Sequence, residues 1–568
     1  MLGLCYDVGK GGEDMDVLIL ALNSKYIHSS LAPWYLRSAI DDIKEDCLVL
    51  EHMINERIEV VLADILAHKP KILAVSVYIW NVKMVYALAE QVKEHLPQTN
   101  IVFGGPEVGY NPAEVLEKSA AVDFIISGEG EQPFSALCEH LLLGKAFLPL
   151  GLSYRLENEN HIAEPYIGTG TPKNPYTDAY FRALNGRIAY FESSRGCPYS
   201  CAYCLSGRCE GMRFFDMKYV HENLLKLAAS GTKTIKFVDR TFNADRRRAY
   251  EILSFIMAEQ GISFPKDVCF HFELSGDLLD DETLKLLEAA PPGLFQFEIG
   301  IQSFCTETIR AIHRKTDSEI LKQRIFQLVK MGNAHIHTDL IAGLPYEDYE
   351  TFKDSFDAAY ALGADMLQLG FLKVLHGTEV EQRAGEYGLR FSAEPPYEVY
   401  ETPWMSCEDF AQLKLVETAV DRLHNSGRFR RTLALCIPKF PRAFHFFLDA
   451  GNAICRQRSL DNLTDCLYAF LCERLPNMTE IIRDAMVCDR LATNSSKALP
   501  RSLYRADPKL LAVRKRLNAD ARTAEQPQVR RSIALLYHSR KAVFADYIQK
   551  NHRGEYPLGF LSFEEDIL

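Results

Sequence analysis

The sequence predicts an α/β protein with two successive α/β domains and a mainly helical C-terminal domain. Two series of short apolar segments alternate with amphipathic helical patterns, and such alternation predicts parallel sheets covered by helices. After about residue 400 the alternation stops, and helical patterns with aromatic and basic clusters follow. We therefore predict a disordered N-terminus at 1–14, domains at 15–145, 186–400 and 401–568, and a linker at 146–185.

The first series predicts a doubly wound, flavodoxin-like domain. Its five strands fall at residues 16–22, 47–52, 71–78, 100–104 and 122–127. Sheets of this kind bind ligands outside the carboxyl ends of their strands. Two of those ends are glycine-rich, Gly104-Gly105-Pro106-Glu107 and Ser127-Gly128-Glu129-Gly130-Glu131. Glycine lets the backbone approach a bulky ligand, although any doubly wound domain carries glycines at some of these turns.

The second series predicts a partial (β/α)6 barrel of the TIM type. Its six strands fall at residues 187–193, 233–239, 268–275, 294–302, 335–342 and 365–374. Helices of ten or more residues separate them, as βα units require. Because the active sites of βα barrels lie at the C-terminal ends of the strands, the residues that follow each strand are the candidate site residues.

Three cysteines follow the first of these strands. Cys197, Cys201 and Cys204 have the spacing C-x₃-C-x₂-C, which chance would produce in roughly one such chain in a hundred. Cysteine thiolates are the usual ligands of iron–sulfur clusters, and three of them leave one iron of a [4Fe–4S] cube open to a small molecule. The alternatives are buried free thiols or a zinc site with Cys209 as the fourth ligand.

Polar residues occupy four further strand ends of the second series. Asp239 follows the second strand, where it can bind a ligand or begin a helix. Glu273 alternates with apolar neighbours on the third strand, so it should point into the barrel. A buried carboxylate without a partner is costly, and we expect a ligand or a cation beside Glu273, in a binding site or a structural ion pair.

These segments, in this order after the cysteine motif, resemble the radical S-adenosylmethionine (SAM) superfamily. The resemblance covers about residues 186–400 and rests on Asp239–Asn243, His271–Ser275, Glu298–Ser303 and Thr338–Pro345. It implies that the three cysteines bind a [4Fe–4S] cluster, that the open iron chelates SAM, and that reductive cleavage yields a 5′-deoxyadenosyl radical. It also implies SAM contacts from Tyr203, Asp239, Glu273, Glu298, Gln302 and Asp339.

The N-terminal domain, followed by such a barrel, resembles the cobalamin-binding domain that is fused to many of these enzymes. The resemblance implies cobalamin contacts from Ser76, Gly104, Gly105, Glu107, Gly128 and Glu129. Classical cobalamin domains carry D-x-H-x-x-G after the first strand, with the histidine on cobalt. The loop here lacks that string, so His28 is either a cobalt ligand or a satisfied loop histidine. The chain as a whole is similar to a subgroup of cobalamin-binding radical SAM proteins with a helical C-terminal domain.

The composition is that of an ordinary globular protein, with 47% hydrophobic and 25% charged residues. No apolar stretch approaches the roughly 20 residues that span a bilayer, and the N-terminus has no signal-peptide pattern. Fifteen cysteines without a small disulfide-rich layout suit a reducing compartment, so we expect a cytoplasmic protein. The net charge is −12, yet residues 401–568 carry 26 Lys and Arg against 20 Asp and Glu.

The sequence therefore favours a cobalamin-dependent radical SAM enzyme that methylates an unactivated carbon of a small molecule. A second hypothesis keeps both cofactors but performs cyclisation, ring rearrangement or another oxidation. A third is a cobalamin or redox sensor whose cluster is not catalytic. The expected partner is an electron donor such as flavodoxin or ferredoxin. Basic clusters at 428–431 and 514–516 suggest nucleic-acid binding as a further hypothesis. The interleaved acidic residues favour solvated helix faces instead.

Overall fold

The computed structural model describes residues 15–41, 46–157, 159–208, 211–496, 498–523 and 530–562. The predicted disordered segment 1–14 lies outside these residues. The chain divides into two compact units, each described here by itself. The first unit extends to Asp280 and includes Ile312–Lys315 and Lys373–Val399; the second contains Asp281–Ala311, Thr316–Leu372 and the chain from Tyr400.

The first unit begins with the predicted doubly wound domain. Its elements are β1 (Val17–Asn23), α1 (Ala32–Ala39), β2 (Cys47–Met53), α2 (Ile58–His68), β3 (Ile72–Ser76), α3 (Val82–His95), β4 (Asn100–Gly104), α4 (Pro112–Lys118), β5 (Phe124–Ile126) and α5 (Glu131–Leu143). The parallel strands have the order β2-β1-β3-β4-β5, which is the flavodoxin-like order. All five predicted strands are confirmed.

The interior strand β1 is buried on both faces, because helices cover each side of the sheet. Leu18 and Leu20 pack into a core with residues of α2, α3 and α4. Val17 and Ile19 face the opposite core, which contains residues of α1 and α5. A strand buried on both faces is a continuous apolar run, and this is why its position could be predicted.

The segment expected to be a linker contains secondary structure. It forms β6 (Leu152–Leu156), β7 (Glu159–His161) and α6 (Asp178–Leu184). Strand β6 pairs antiparallel with β5, and β7 pairs antiparallel with β6, so the sheet has seven strands. The hairpin therefore belongs to the sheet of the first domain.

The barrel series begins within the first unit. Its elements there are β8 (Ala189–Phe191), β9 (Ser194–Gly196), β10 (Met212–Phe214), α7 (Met217–Ala229), β11 (Thr234–Phe237), α8 (Arg246–Glu259) and β12 (Cys269–Leu274). Strand β11 pairs in parallel with β8 and with β12. Asp216 and Asp245 accept hydrogen bonds from the first turns of α7 and α8, which fixes where these helices begin.

The series continues in the second unit with three further parallel strands. The elements are α9 (Asp281–Glu288), β13 (Phe295–Gln302), α10 (Thr306–Ala311), α11 (Ser318–Met331), β14 (His335–Ala342), α12 (Tyr349–Ala361) and β15 (Met366–Phe371). Strand β14 pairs with β13 and with β15. The six predicted strands are confirmed, and their alternation with helices is that of a partial (β/α)6 barrel. The chain then forms α13 (Glu379–Gln382), β16 (Arg390–Phe391) and β17 (Val399–Glu401).

The C-terminal domain is mainly helical, as predicted, but it also contains a small sheet. Its elements are α14 (Cys407–Ala419), a π-helical turn (Val420–Asn425), α15 (Arg430–Cys436), α16 (Ala443–Ile454), α17 (Leu460–Arg474), α18 (Thr479–Thr493), α19 (Lys509–Thr523), β18 (Arg531–Leu536), β19 (Lys541–Asp546) and β20 (Leu558–Ser562). The three strands pair antiparallel. The Asn425 side chain donates to the Leu367 carbonyl and accepts from its N–H, both at 2.9 Å, so the domain satisfies backbone groups of β15. No helix in the described ranges is long and apolar enough to cross a membrane.

Candidate active site

The three cysteines of the motif lie on one compact loop after β9. Cys197, Cys201 and Cys204 are half-buried, and the Cys204 N–H donates to the Cys201 carbonyl at 3.0 Å. Gly196 begins the loop with φ of +96°, and a Cβ there would lie 2.1 Å from the Gly211 carbonyl oxygen. No other residue type fits this position without moving the backbone.

The three sulfurs do not form a group as tight as mononuclear zinc requires. Tetrahedral zinc holds its thiolates at about 2.3 Å, which puts neighbouring sulfurs about 3.8 Å apart. The described residues include one group of three or more metal-ligand side chains whose atoms all lie within 4.8 Å of one another, and it does not contain these cysteines. A [4Fe–4S] cube binds each thiolate at a different iron, so the wider spacing fits the cluster. Cys209, the alternative fourth zinc ligand, lies outside the described residues.

The chain around the cysteine loop holds it at both backbone groups of Ala202. The Ala202 N–H donates to the Ile312 carbonyl, and its carbonyl accepts from the Val380 N–H, each at 3.0 Å. On the side-chain level, the Thr241 hydroxyl lies 3.5 Å from the Cys197 Sγ, and Arg314 donates to the Tyr203 hydroxyl at 3.4 Å. Two segments distant in sequence therefore fix the shape of the loop.

Asp239, predicted to contact SAM, is buried and already fully engaged within the protein. Its carboxylate accepts hydrogen bonds from the Ser193 N–H at 2.9 Å, the Ser193 hydroxyl at 2.6 Å and the Ser194 hydroxyl at 2.5 Å. Burial raises the pKa of this carboxyl, while the Ser193 hydrogen bonds lower it. These bonds connect the end of β11 to the strand that leads into the cysteine loop.

A cavity of about 680 Å³ lies in the first unit at the carboxyl edge of the N-terminal sheet. Five of the six residues predicted to contact cobalamin line it, namely Ser76, Gly104, Gly105, Gly128 and Glu129. Apolar side chains line the part next to α1 and α5: Leu36, Ala74, Val102 and Ile126. Trp80 stacks on Tyr78, with ring centroids 4.4 Å apart, and both line the same cavity. A large, partly apolar cofactor fits these residues.

Two of the lining glycines are required by the backbone. Gly105 has φ of +110°, and a Cβ there would lie 2.5 Å from the Val77 carbonyl oxygen. Gly128 has φ of +84°, and its Cβ would lie 2.2 Å from the Tyr166 carbonyl oxygen. Both loops therefore pack closely against neighbouring backbone, which keeps the cavity open on their other side.

The opposite wall of the cavity comes from the barrel strands of the same unit. It contains Tyr190, Glu192, Arg195, Lys236, Val238, Arg240 and Glu273. The Glu273 carboxylate lies 3.7 Å from the Lys236 Nζ, so the cation expected beside Glu273 is present. Residues of the two predicted domains thus enclose one space.

His28 also lines this cavity. Its Nδ1 lies 2.7 Å from the Tyr190 hydroxyl, so the histidine has a partner on β8. Burial and the nearby charges of Lys25 and Lys236 lower its pKa, which favours the neutral imidazole. Both interpretations of His28, cobalt ligand and loop histidine, remain predictions.

An ion-pair network joins the second glycine loop to the strand before the cysteines. Arg195 binds Glu129 at 2.8 Å, Glu131 at 2.5 Å and Glu192 at 3.0 Å, and Arg213 also binds Glu129. Burial raises the pKa of Glu192 to about 7, against the lowering effect of Arg195. Sequence reasoning missed Arg195, because two of its partners, Glu129 and Glu131, are more than 60 residues away along the chain.

Glu107, predicted to contact cobalamin, does not line the first cavity. Its buried carboxylate accepts a hydrogen bond from the Tyr397 hydroxyl at 2.5 Å. Burial raises the pKa of Glu107, and the Tyr397 hydrogen bond lowers it. The residue lines a separate cavity of about 500 Å³ in the first unit, together with Tyr86, Lys118 and His376.

In the second unit, two of the predicted SAM contacts lie next to a histidine that sequence reasoning missed. Glu298 on β13 pairs in register with His337 on β14, and one ligand atom each of Glu298, His337 and Asp339 lies within 4.8 Å of the others. The His337 Nε2 is 3.0 Å from the Asp339 Oδ1. His337 is two residues from Asp339, so strand alternation puts both on one face, which was the available signal.

Gln302, the other SAM contact predicted in this unit, ends β13 in a strained conformation. Its φ is +70°, and the pairing of β13 with β14 shifts register between Gly300 and Gln302. A buried non-glycine residue with positive φ is uncommon and is typical of functional sites.

Comparison with known families agrees with this organisation. A family model of the B12 binding domain matches residues 17–138, one of the radical SAM superfamily matches residues 191–359, and one described as a protein of unknown function (DUF4080) matches residues 385–543. The chain therefore contains a B12-binding domain at residues 17–138 and a radical SAM domain at residues 191–359. These domains imply a [4Fe–4S] cluster, SAM and cobalamin as cofactors.

Individual relatives point to the same class. The chain is 27% identical to a 2-(S-pantetheinyl)-carbapenam-3-carboxylate methyltransferase of Streptantibioticus cattleyicolor, over 64% of this chain and 58% of that one. It is 27% identical to the cobalamin-dependent radical SAM methyltransferase TokK of Streptomyces tokunonensis, over 57% and 50%. The chain thus spans between 50% and 58% of the length of these relatives. An anaerobic magnesium-protoporphyrin IX monomethyl ester cyclase of Rubrivivax gelatinosus matches more weakly, at 22% identity over 58% of this chain and 59% of that one.

A solved structure shares the fold over most of the chain. The cobalamin-dependent SAM radical enzyme OxsB with aqua-cobalamin bound aligns with a TM-score of 0.59, covering 89% of this chain and 84% of its own. The sequence identity is 14%, so the likeness concerns the fold.

Proposed function

We propose that the protein is a cobalamin-dependent radical SAM enzyme that methylates an unactivated carbon of a small molecule. The observation that carries the proposal is the cavity of about 680 Å³, because glycine loops of the B12-binding domain and barrel residues of the radical SAM domain line the same space. A substrate between the two walls would be within reach of both cofactors. This arrangement is what methyl transfer coupled to hydrogen abstraction requires.

When bound, the cluster supplies the electron that cleaves SAM, and cobalamin supplies the methyl group. Cys197, Cys201 and Cys204 hold the cluster. Tyr203, Glu273, Glu298, Gln302 and Asp339 remain our proposed SAM contacts. Ser76, Gly104, Gly105, Gly128 and Glu129 remain the proposed cobalamin contacts.

Two earlier predictions take a more specific form. We propose that Asp239 affects SAM binding indirectly, by positioning the cysteine loop. Its carboxylate accepts hydrogen bonds from Ser193 and Ser194, and these bonds fix the strand that precedes the loop. We propose that Glu107 stabilises the first glycine loop on the side away from the first cavity, by accepting the hydrogen bond from Tyr397.

Labelled SAM tests the proposal. Protein reconstituted anaerobically with iron, sulfide and hydroxocobalamin should retain the corrin through gel filtration. With reductant and SAM carrying a deuterated methyl group, the label should reach cobalamin and S-adenosylhomocysteine should form. Replacement of the exposed Cys407 by alanine is the matched control and should change neither result. Wild-type protein that elutes without corrin absorbance would contradict the methyltransferase assignment.

Cyclisation, ring rearrangement or another oxidation is the second candidate, favoured by the match to the Rubrivivax gelatinosus cyclase. The same labelled SAM separates the two functions once a substrate is found. A methyltransferase product carries the deuterated methyl group, whereas a cyclised or oxidised product carries none.

We further propose that flavodoxin or ferredoxin delivers the electron and that the protein works in the cytoplasm. Support comes from the cysteines, which are all free thiols in the described part of the chain. A reducing compartment keeps such thiols available and protects an oxygen-labile cluster.

A further inference from the structure

A short segment from a distant part of the sequence lies against the cysteine loop. Ile312–Lys315 belongs to the first unit, and its Ile312 carbonyl binds the Ala202 N–H. His313 has φ of +56°, and its side chain turns to Glu379 on α13, with the Nε2 2.9 Å from the carboxylate. The two contacts hold the backbone just before Arg314.

The Arg314 guanidinium points at the cysteine loop. It donates to the Tyr203 hydroxyl at 3.4 Å and lies close to the Cys201 thiol. Asp277 is the other charged group that acts on Arg314.

We propose that Arg314 raises the reduction potential of the cluster bound by Cys197, Cys201 and Cys204. The inference rests on the proposed [4Fe–4S] cluster at this loop. Reduction adds one electron from a low-potential donor to the oxidised cluster, and no bond forms or breaks in that step. The added negative charge is stabilised by a fixed cation beside one of the ligands.

Arginine suits this role for two reasons. Its guanidinium keeps its charge at every physiological pH, so the potential does not depend on a proton. Its planar group can also bind a thiolate and a phenol at once, which holds the charge at one distance from the cluster. Asp277 is the opposing charge nearby, and its carboxylate accepts a hydrogen bond from the Ser275 hydroxyl at 2.7 Å, so it reduces the effect of Arg314.

A redox titration tests the proposal. Reconstituted holoprotein without SAM is titrated anaerobically, and the reduced cluster is followed by its electron paramagnetic resonance signal. Arg314→Gln should shift the midpoint to a more negative potential, and Arg314→Lys should restore most of the wild-type value. Arg57→Gln is the matched control, because it removes an exposed positive charge that pairs with Glu59 on the surface; its midpoint should equal that of the wild type.

The outcomes separate this inference from the proposed function. A wild type that binds no cluster would overturn both. A neutral variant, Arg314→Gln or Arg314→Met, that holds the full iron and sulfide content at the wild-type midpoint would overturn the tuning role alone. Loss of the cluster from both neutral variants, with retention in Arg314→Lys, would show that Arg314 is needed for cluster assembly. This result would also overturn the proposal that Arg314 sets the reduction potential.

Discussion

Replacement of Gly105 by alanine should abolish stable cobalamin binding, because the added side chain would distort the backbone of the glycine loop. The added Cβ would lie 2.5 Å from the Val77 carbonyl oxygen, on a strand end that cannot move away without breaking sheet pairing. Left-handed backbone costs an L-residue roughly 1–2 kcal/mol. Overpacking against fixed atoms costs roughly 1–3 kcal/mol more. The sum is about 2–5 kcal/mol, and its lower end corresponds to a roughly 30-fold loss of affinity if the loop must be native to bind.

The assay is retention of hydroxocobalamin through gel filtration over a range of protein concentrations. Gly144→Ala is the matched control, because Gly144 also has positive φ, +67°, but a Cβ there meets nothing within 4 Å. It should cost only backbone strain and leave cobalamin binding unchanged. Wild-type affinity in Gly105→Ala would refute the reasoning, since the close approach to Val77 would then have no consequence.

Three further outcomes follow from the site. Alanine at Cys197, Cys201 and Cys204 together should remove the roughly four irons of one [4Fe–4S] cube, as measured by iron and sulfide analysis; iron that survives would place the cluster elsewhere. Asp239→Asn should cost about 1–3 kcal/mol, because an amide offers one acceptor oxygen in place of two to the three donors of Ser193 and Ser194. It should lower cluster retention before SAM affinity; the reverse order would restore Asp239 as a direct SAM contact. Burial raises the pKa of Glu192 to about 7 in the folded protein, so this group stabilises the fold at acid pH and the stabilisation is lost as pH rises from about 4.5 through 7. Glu192→Gln should remove this pH dependence of the denaturation midpoint. An unchanged pH dependence would assign it to other groups.

The strands of both α/β domains could be predicted because buried strands are continuous runs of apolar residues. Strand β1 is entirely apolar up to Asn23, and all seven of its residues are buried. The cysteine loop could be predicted because its ligands are close together in sequence. The hairpin β6–β7 could not, because β7 is short and exposed and carries no apolar pattern.

Apart from His337, which lies two residues from Asp339, the site residues that sequence reasoning missed have partners far away along the chain. Arg314 lies 111 residues from Tyr203, and Tyr397 lies 290 residues from Glu107. Such pairs cannot be inferred from residue spacing along the sequence, because only the folded chain brings the two residues together. For the same reason the direction of Glu107, away from the first cavity, could not be inferred from the glycine motif that contains it.

Formation of 5′-deoxyadenosine tests the central claim most directly. Reconstituted protein with a strong reductant and SAM should release it, even slowly without substrate, and Cys204→Ala should release none because no electron can arrive. S-adenosylhomocysteine without 5′-deoxyadenosine would limit the protein to methyl transfer onto cobalt. A fully reduced cluster in the wild type with neither product would contradict the enzyme assignment and favour a sensor.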